Sequence, residues 1–600
     1  GDVYKRQEYP FDPGYIMKKR RSIKKELLKT DKPFIEKRIA VLGGSTTHDI
    51  IDILELFLLN YGIRPTFYES EFNQYWQDAM FDNPELDEFK PEIIFIHTSF
   101  RNITELPAIS DDAAAISDKL DRQYEHFRVM WEKLFSKFGA VIIQNNFEMP
   151  FYRLMGNKEA SDLHGSINFA ASLNMKFYEY AQKNKNFFIN DINYLSADYG
   201  LSKWADPFVW HMYKYILDLN AIPQFSLNLA NIIKSLLGKN KKAFVLDLDN
   251  TLWGGVVGDD GVEGIEIGHE TSMGQVFSEF QKYLLDHKQL GVMLNVCSKN
   301  DHENAIAGLN HPAATLKPDD FIIIKANWLN KDENVMQIAR ELNILPDSLV
   351  FVDDNPVERG IVRENVPGTA VPEIGKVEQY ITNIDRNGYF EVTNLSEDDI
   401  KRNEMYKANV ERAKLESTFT NYTDYLLSLN MTAVIKDFDD VYIQRIAQLT
   451  NKSNQFNLTT KRFTQAEMEA IMADDRYIRL YGKLEDKYGD NGVITVVLGR
   501  KEDTVLHIEL WLMSCRVLKR DMELAMLDSL VEQAKKQGIK TLKGYYFKTP
   551  KNSMVREFYG ALGFTKISEQ ENGDSEWELE IDNYENKNKV IKVVTSNEQN

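Results

Sequence analysis

An apolar run closes on two carboxylates and a hydroxyl in Phe244-Val-Leu-Asp-Leu-Asp-Asn-Thr-Leu-Trp-Gly-Gly255. These are Asp247, Asp249 and Thr251. Burying one carboxylate is costly, and a second beside it repels the first, unless a cation neutralises both. The spacing therefore marks a magnesium site that also holds an aspartate nucleophile. Further groups follow in chain order. Ser298 stands in Cys297-Ser298-Lys299-Asn300, and Lys331 in Trp328-Leu-Asn-Lys-Asp-Glu-Asn334. Asp353 and Asp354 close Leu349-Val-Phe-Val-Asp-Asp-Asn355. Thr251, Asn300 and Asn355 are candidates for contact with a phosphate.

Such groups need strands that deliver them to one edge. Open α/β sheets bind ligands at the C-terminal ends of their strands. Apolar runs over 243–248, 290–296 and 349–352 read as buried parallel strands. A helical pattern starts at Lys331 and runs to about 342. Carboxylates, hydroxyl, lysine and carboxylates in this order resemble the four motifs of the haloacid dehalogenase (HAD) phosphohydrolase superfamily. That resemblance implies roles. Asp247 would attack phosphorus, and Asp249 would protonate the leaving oxygen and then activate water. Magnesium would be held by Asp247, the Asp249 carbonyl and Asp354, with Asp353 alongside. Ser298 and Lys331 would hold phosphoryl oxygens. Between Thr251 and Ser298 there is room for one helix and a short flap over 254–268. Between Ser298 and Lys331 there is room for one more β-α unit. Neither gap holds a cap domain, so the site is expected to be open, which suits a phosphate carried on something large.

Six hundred residues suggest three or four domains, and 43% hydrophobic content supports real cores. A net charge of -19 argues against nucleic acid. Two cysteines, Cys297 and Cys515, give no disulfide framework and fit a reducing, cytoplasmic setting. No internal repeat, signal peptide or apolar stretch of membrane-span length is visible in this sequence. The first residue is Gly1 rather than Met, as in a fragment or a chain with a foreign leader.

The expected architecture is α/β in three domains. Residues 1–36 form a basic extension whose run 17–29 reads as a solvated helix, with a docking face for an acidic carrier as the sharper reading. Residues 37–238 alternate strands and helices. Gly-Gly-Ser-Thr with Ser45, then Ser99 and Asn102, then Asp206 and His211 resemble the SGNH hydrolase fold, which is flavodoxin-like. Gly-Gly-Ser replaces the usual Gly-Asp-Ser, and His211 lies five residues after Asp206 rather than three. These departures point to a degenerate domain used for binding or scaffolding. Residues 239–372 are the capless, Rossmann-like HAD domain, and 373–415 a linker with a helix. Residues 416–585 resemble the GNAT acyltransferase fold, α+β, followed by a tail, 586–600. In that fold a Gly-rich turn cradles the coenzyme A pyrophosphate, whereas here the turn is Arg516-Val-Leu-Lys-Arg-Asp521. Lys519 and Asp521 would obstruct it. Asn552 and Tyr559 match positions that touch the cofactor arm. Cys515 reads either as a small buried apolar residue or as an acyl-accepting thiolate beside a helix N-terminus, Arg516 and Lys519. Cys297 is structural. The polar stretch Asn451-Lys-Ser-Asn-Gln-Phe-Asn-Leu-Thr-Thr460 would suit phosphate or a pantetheine arm.

Together, LDLDNTLWGGVVGDDGVEGIEIG, ANW-LNKDEN, VFVDDN, TNKSNQFNLTT and SCRVLKRD resemble the FkbH-like family. The resemblance implies capture of a glyceryl unit from 1,3-bisphosphoglycerate, a phosphorylated three-carbon acyl donor. Its phosphate is removed and the glyceryl unit is loaded on the phosphopantetheine arm of an acyl carrier protein. Two alternatives stand beside this: a simple phosphatase in a surface-polysaccharide pathway, and a largely non-catalytic scaffold.

Overall fold

The computed structural model describes residues 7–594, and the chain divides after Lys234 into two compact units. The first is built on β1 (Ile35–Gly43), β2 (Ile63–Glu69), β3 (Ile93–His97), β4 (Val141–Asn145) and β5 (Phe187–Asn190). These form one parallel sheet in the order β2-β1-β3-β4-β5. Every residue of β3 and β4 is buried, as helices on both faces of a parallel sheet demand. Most of the basic run, 17–27, lies in the helix Pro13–Leu27, which buries Ile16, Ile23 and Leu27. Arg20 meets Asp49 at 2.8 Å and Lys24 meets Glu55 at 2.9 Å, so part of its charge is turned onto the helix His48–Asn60.

The second unit contains two sheets. One has β6 (Ala243–Leu246), β7 (Met293–Lys299), β8 (Ile323–Asn327) and β9 (Leu349–Val352), all parallel, in the order β8-β7-β6-β9. Leu246 is in register with Val296 on one side and Val352 on the other. The residues that follow, Asp247 and Asp353, therefore leave adjacent strands side by side. The Asp247 N–H donates to the Val352 carbonyl at 3.0 Å and fixes that step. Between β6 and β7 lie a flap with short turns at Val257–Asp260 and Val262–Gly264 and the helix Ser272–Gln289, with no cap domain.

The other sheet has β10 (Thr432–Asp437), β11 (Tyr477–Asp486), β12 (Gly489–Glu502), β13 (Val505–Met513), β14 (Thr541–Tyr546), β15 (Thr565–Glu569), β16 (Ser575–Glu580) and β17 (Lys592–Val594). Its order is β15-β16-β14-β13-β12-β11-β10-β17. Neighbours are antiparallel except β13–β14 and β10–β17. β17 falls in the stretch expected to be a tail, and it pairs with Thr432–Val434 as an edge strand. Residues 595–600 lie outside the described residues. After β14 the chain makes two short turns, Ser553–Val555 and Phe558–Ala561.

β13 and β14 pair only over Val505–Ile508 and Thr541–Gly544, then part. The chain fills the resulting gap with its own polar stretch. The Leu458 N–H donates to the Trp511 carbonyl at 3.0 Å, and the Met513 N–H donates to the Phe456 carbonyl at 3.0 Å. On the far side the Phe547 N–H donates to the Leu458 carbonyl at 2.9 Å. An inserted backbone segment satisfies groups that parted strands would leave orphaned.

The connector helix Arg402–Glu416 is tied to this sheet by a buried charge cluster. Asp486 accepts two bonds from Arg412, at 2.8 and 2.7 Å, and one from Arg520 at 3.2 Å. Among the described residues, no helix is long and apolar enough to cross a membrane. Removing the shared carboxylate strands two guanidinium groups. Asp486→Ala is expected to cost roughly 3–5 kcal/mol in a denaturant melt, while the exposed Glu571→Gln stays within about 0.5 kcal/mol of the parent. An unchanged melt for Asp486→Ala would show that the cluster does not hold the connector.

Candidate functional site

The ends of β6 and β9 bring the paired carboxylates together. One carboxylate oxygen each from Asp247, Asp353 and Asp354 lies within 4.8 Å of the others. Lys331, the first residue of the helix Lys331–Glu341, bridges the two strands. Its Nζ stands 3.0 Å from Asp247 Oδ1 and 2.5 Å from Asp353 Oδ2. Burial opposes the charge on this amine, but Asp247 and Asp353 outweigh it and hold the amine above its ordinary range. Burial, then repulsion from Asp247, pushes Asp353 up to about 7. The same two causes, in the same order, raise Asp354. One lysine is thus too little positive charge for the cluster. Three clustered carboxylate oxygens with unrelieved repulsion fit a small hard cation such as magnesium.

Asp249 belongs to the same site but is held differently. Its Oδ1 accepts from the Trp253 indole N–H and from the Val257 N–H, each at 3.0 Å. Its Oδ2 accepts from the Asn300 amide at 3.0 Å. Burial nevertheless raises its proton affinity. A carboxyl fixed in place and biased towards its protonated form is suited to proton transfer. Trp253 can reach it because Gly308 leaves room: a Cβ there would lie 2.7 Å from the indole ring. Asn300, expected against phosphate, instead orients Asp249.

Several other expected contacts also turn out to be internal supports. The Thr251 hydroxyl stands 3.4 Å from Asp354 Oδ1 and 3.3 Å from the Asp354 N–H. Asn355 is exposed and caps the helix Pro356–Asn365, accepting from the Val357 N–H at 2.9 Å. Its Oδ1 is committed to that cap. Ser298 is buried at the end of β7. Cys297 is buried, its thiol 3.7 Å from the Lys331 carbonyl, in keeping with a structural role. Arg359 was missed in the sequence. Its Nη1 donates to the carbonyls of Asp353 and Asp354 at 2.9 and 2.8 Å, and its Nη2 to Glu373 at 2.9 Å. The signal was present, since Arg359 lies one helical turn past the carboxylate pair.

Cys515 lies elsewhere. It packs against the cluster that includes Ala243, Leu349 and Tyr406, and the Tyr406 hydroxyl is 3.7 Å from its sulfur. Lys242, just before β6, and Ser348, just before β9, line the same cavity as Cys515. That is the N-terminal edge of the sheet whose C-terminal edge carries Asp247. Lys242 and Asp247 are five residues apart, about 16 Å of extended strand. Arg516 faces this cavity, but the Lys519 side chain is exposed. Lys519 and Asp521 both adopt left-handed backbone, φ 62° and 59°. The turn thus takes conformations that favour glycine while keeping its side chains.

Asn552 and Tyr559, expected at a cofactor arm, are interior residues. Asn552 is 0% exposed and donates to the carbonyls of Asn457 and Phe547 at 3.0 and 2.9 Å, which staples the inserted stretch into its gap. Tyr559 is buried against Gly544, where a Cβ would approach its ring to 2.5 Å.

In the first unit, Ser45 is buried and its hydroxyl has no hydrogen-bond partner. Asp206 caps the helix Pro207–Tyr213, accepting from the Phe208 N–H at 2.8 Å. His211 is exposed on that helix. Among the described residues, no hydrogen bond joins Ser45, Asp206 and His211. A five-residue spacing from the cap turns the histidine away from its carboxylate.

A family model described as FkbH, N-terminal domain, matches residues 38–234. Among solved structures, the chain is similar to the N-terminal part of the protein BF1531 from Bacteroides fragilis, which contains a phosphatase domain and is complexed with Mg. Identity is 31%, the match covers 63% of this chain and 99% of that one, and the TM-score is 0.59. The ribosomal-protein-S18-alanine N-acetyltransferase from Escherichia coli matches at 12% identity, over 26% of this chain and 99% of that one, with a TM-score of 0.20. Ard1 from Thermoplasma volcanium matches at 15% identity, over 25% and 98%, also with a TM-score of 0.20. No curated protein matches the chain. The first unit's family match and a relative that aligns along nearly its whole length make this chain a member of the FkbH-like family.

Proposed function

We propose that the acidic centre is a magnesium-dependent phosphatase site of HAD type, coupled to acyl transfer through Cys515. The observation that carries it is the carboxylate cluster of Asp247, Asp353 and Asp354, bridged by Lys331. The Bacteroides fragilis relative, with its phosphatase domain and Mg, supports both the activity and the ion. Asp247, Asp353 and Asp354 would hold magnesium, which would supply charge neutralisation on the transferring phosphoryl group.

The chain's own residues do the rest. An Asp247 oxygen attacks phosphorus, forming an aspartyl-phosphate as the bond to the leaving oxygen breaks. Asp249 gives that oxygen its proton. It then takes a proton from a water that attacks phosphorus, releasing phosphate and restoring Asp247. Lys331 stays charged beside Asp247 and offsets the phosphoryl charge. The open edge admits a phosphate carried on a larger molecule.

In the acyl half, the Cys515 thiolate attacks the carbonyl carbon of a phosphorylated three-carbon acyl donor. A C–S bond forms, the acyl–oxygen bond breaks and phosphate leaves. The thioester then passes to the phosphopantetheine thiol of an acyl carrier protein, and Cys515 is regenerated. Because the two centres lie at opposite ends of one sheet, the acyl group moves between them on a carrier rather than by direct contact. The first unit serves as a binding module without ester chemistry of its own.

Asp247→Asn is expected to lose phosphate release from an aryl phosphate entirely, with an unchanged thermal melt. Asp249→Asn should fall by roughly 10²–10⁴-fold. Near-normal release from folded Asp247→Asn would remove it as the nucleophile. Cys515→Ala should abolish carrier loading, read by intact mass of the carrier, and leave aryl-phosphate hydrolysis at the parent rate. Equal loading by Cys515→Ala would make the transfer direct. The full chain should not hydrolyse short aryl esters. Turnover that disappears in Ser45→Ala would restore a hydrolase to the first unit.

A further inference from the structure

At the edge of the β6–β9 sheet opposite the acidic centre, the second unit forms a partly open cavity of about 80 Å³. Cys515 stands in its wall, and so do Lys242, Arg402, Arg445, Lys452 and Arg516. Carboxylates answer only part of this charge. Asp398 lies 2.9 Å from Arg445. Asp399 is shared between Arg402 and Lys452, the latter at 3.0 Å. Asp347 is engaged by Lys551. No ion pair is formed by Lys242 among the described residues.

Arg516 is the sharpest sign of a missing partner. It is 7% exposed, and its Nε donates to Ser514 at 3.1 Å while its Nη1 lies against the Met405 sulfur. Its Nη2 has no hydrogen-bond partner and stands 3.9 Å from Asp398. A buried guanidinium edge left unmatched is costly, and a ligand oxygen would relieve it. Lys452 tells the same story, since burial pushes its amine down to about 7 despite Asp399. The next residues, Ser453, Asn454 and Gln455, bring amide and hydroxyl groups to the same wall.

We propose that this cavity is a second phosphoryl-binding site, separate from the Asp247 centre, in which Lys242, Lys452 and Arg516 seat the phosphate of the molecule that meets Cys515. A phosphate dianion matches the surplus positive charge, and its several oxygens match a fork donor flanked by two ammonium groups. The alternative cradle, the turn before the helix Met522–Lys536, is obstructed by side chains, and the gap between β13 and β14 is filled. The phosphate has two chemical sources: a free acyl phosphate, or the phosphopantetheine arm of a carrier. The assignment rests on the reading of Cys515 as acyl acceptor, and the test separates the two.

The full-length protein is alkylated with iodoacetamide and followed by intact mass, with buried Cys297 expected to stay unmodified. Inorganic phosphate should slow Cys515 alkylation saturably, by about tenfold at ten times its Kd. Lys452→Gln and Arg516→Gln should each lose most of that protection. Lys452→Gln, with the smaller loss of packing, is the variant relied upon if Arg516→Gln misfolds. Protection by an acylphosphonate supports the free donor as source, and protection by S-methyl phosphopantetheine, which has no free thiol to consume the reagent, supports the carrier arm. An alkylation rate unchanged by all three probes, or slowed equally by potassium chloride at matched ionic strength, overturns the site. Full protection in Lys452→Gln overturns it as well. Phosphate protection without any acylation keeps the site and discards the acceptor role of Cys515. Acylation without protection does the reverse.

Discussion

Three carboxylates, Asp247, Asp353 and Asp354, converge on one sheet edge, and strand register keeps the first two from moving apart. The register that pairs Leu246 with Val352 delivers Asp247 and Asp353 side by side, and the Asp247 N–H bond to Val352 locks the step. Around this forced repulsion the neighbouring side chains are arranged. Lys331 is placed at a helix start so that one amine reaches both strands. Arg359 grips the carbonyls behind Asp353 and Asp354. Thr251 stands against Asp354, and Asn300, Trp253 and Val257 hold Asp249 a little apart, in a setting of its own. Similar groups therefore take different parts because their environments differ.

Much of this could be read in the sequence. Apolar runs that stop on carboxylates have one structural meaning in a parallel sheet, so β6, β9 and the order of the groups followed directly. The absence of a cap followed from chain length alone. The acceptors and donors around those groups were harder to read. Asn300 and Asn355 are chemically equal on paper, yet one orients Asp249 and the other caps a helix, because a half-turn of backbone decides where each amide points. The inserted stretch was visible as an unusually polar segment. That it fills a gap between β13 and β14 depends on pairing between residues some fifty to ninety positions apart, which local pattern does not encode. Asn552 shows the same limit, for its partner Asn457 lies far off in the chain.

The acidic cluster and the cationic cavity share a sheet but not an edge. Asp247 follows β6, Lys242 precedes it, and the strand between them is packed on both faces. Each centre can therefore be tuned by its own surroundings without disturbing the charge balance of the other. The cationic cavity and the acidic cluster would otherwise quench each other, as opposite charges at short range do. Separation by a packed strand preserves both potentials.

The turn at Lys519 and Asp521 carries a consequence for how this chain could change. Non-glycine residues in left-handed backbone cost roughly 1–2 kcal/mol each. Here the buried Arg520 between them, bound to Asp486 and Asn409, keeps the turn in that shape. Glycine at both positions would relieve the strain. Relief of that strain gives drift at this turn a direction.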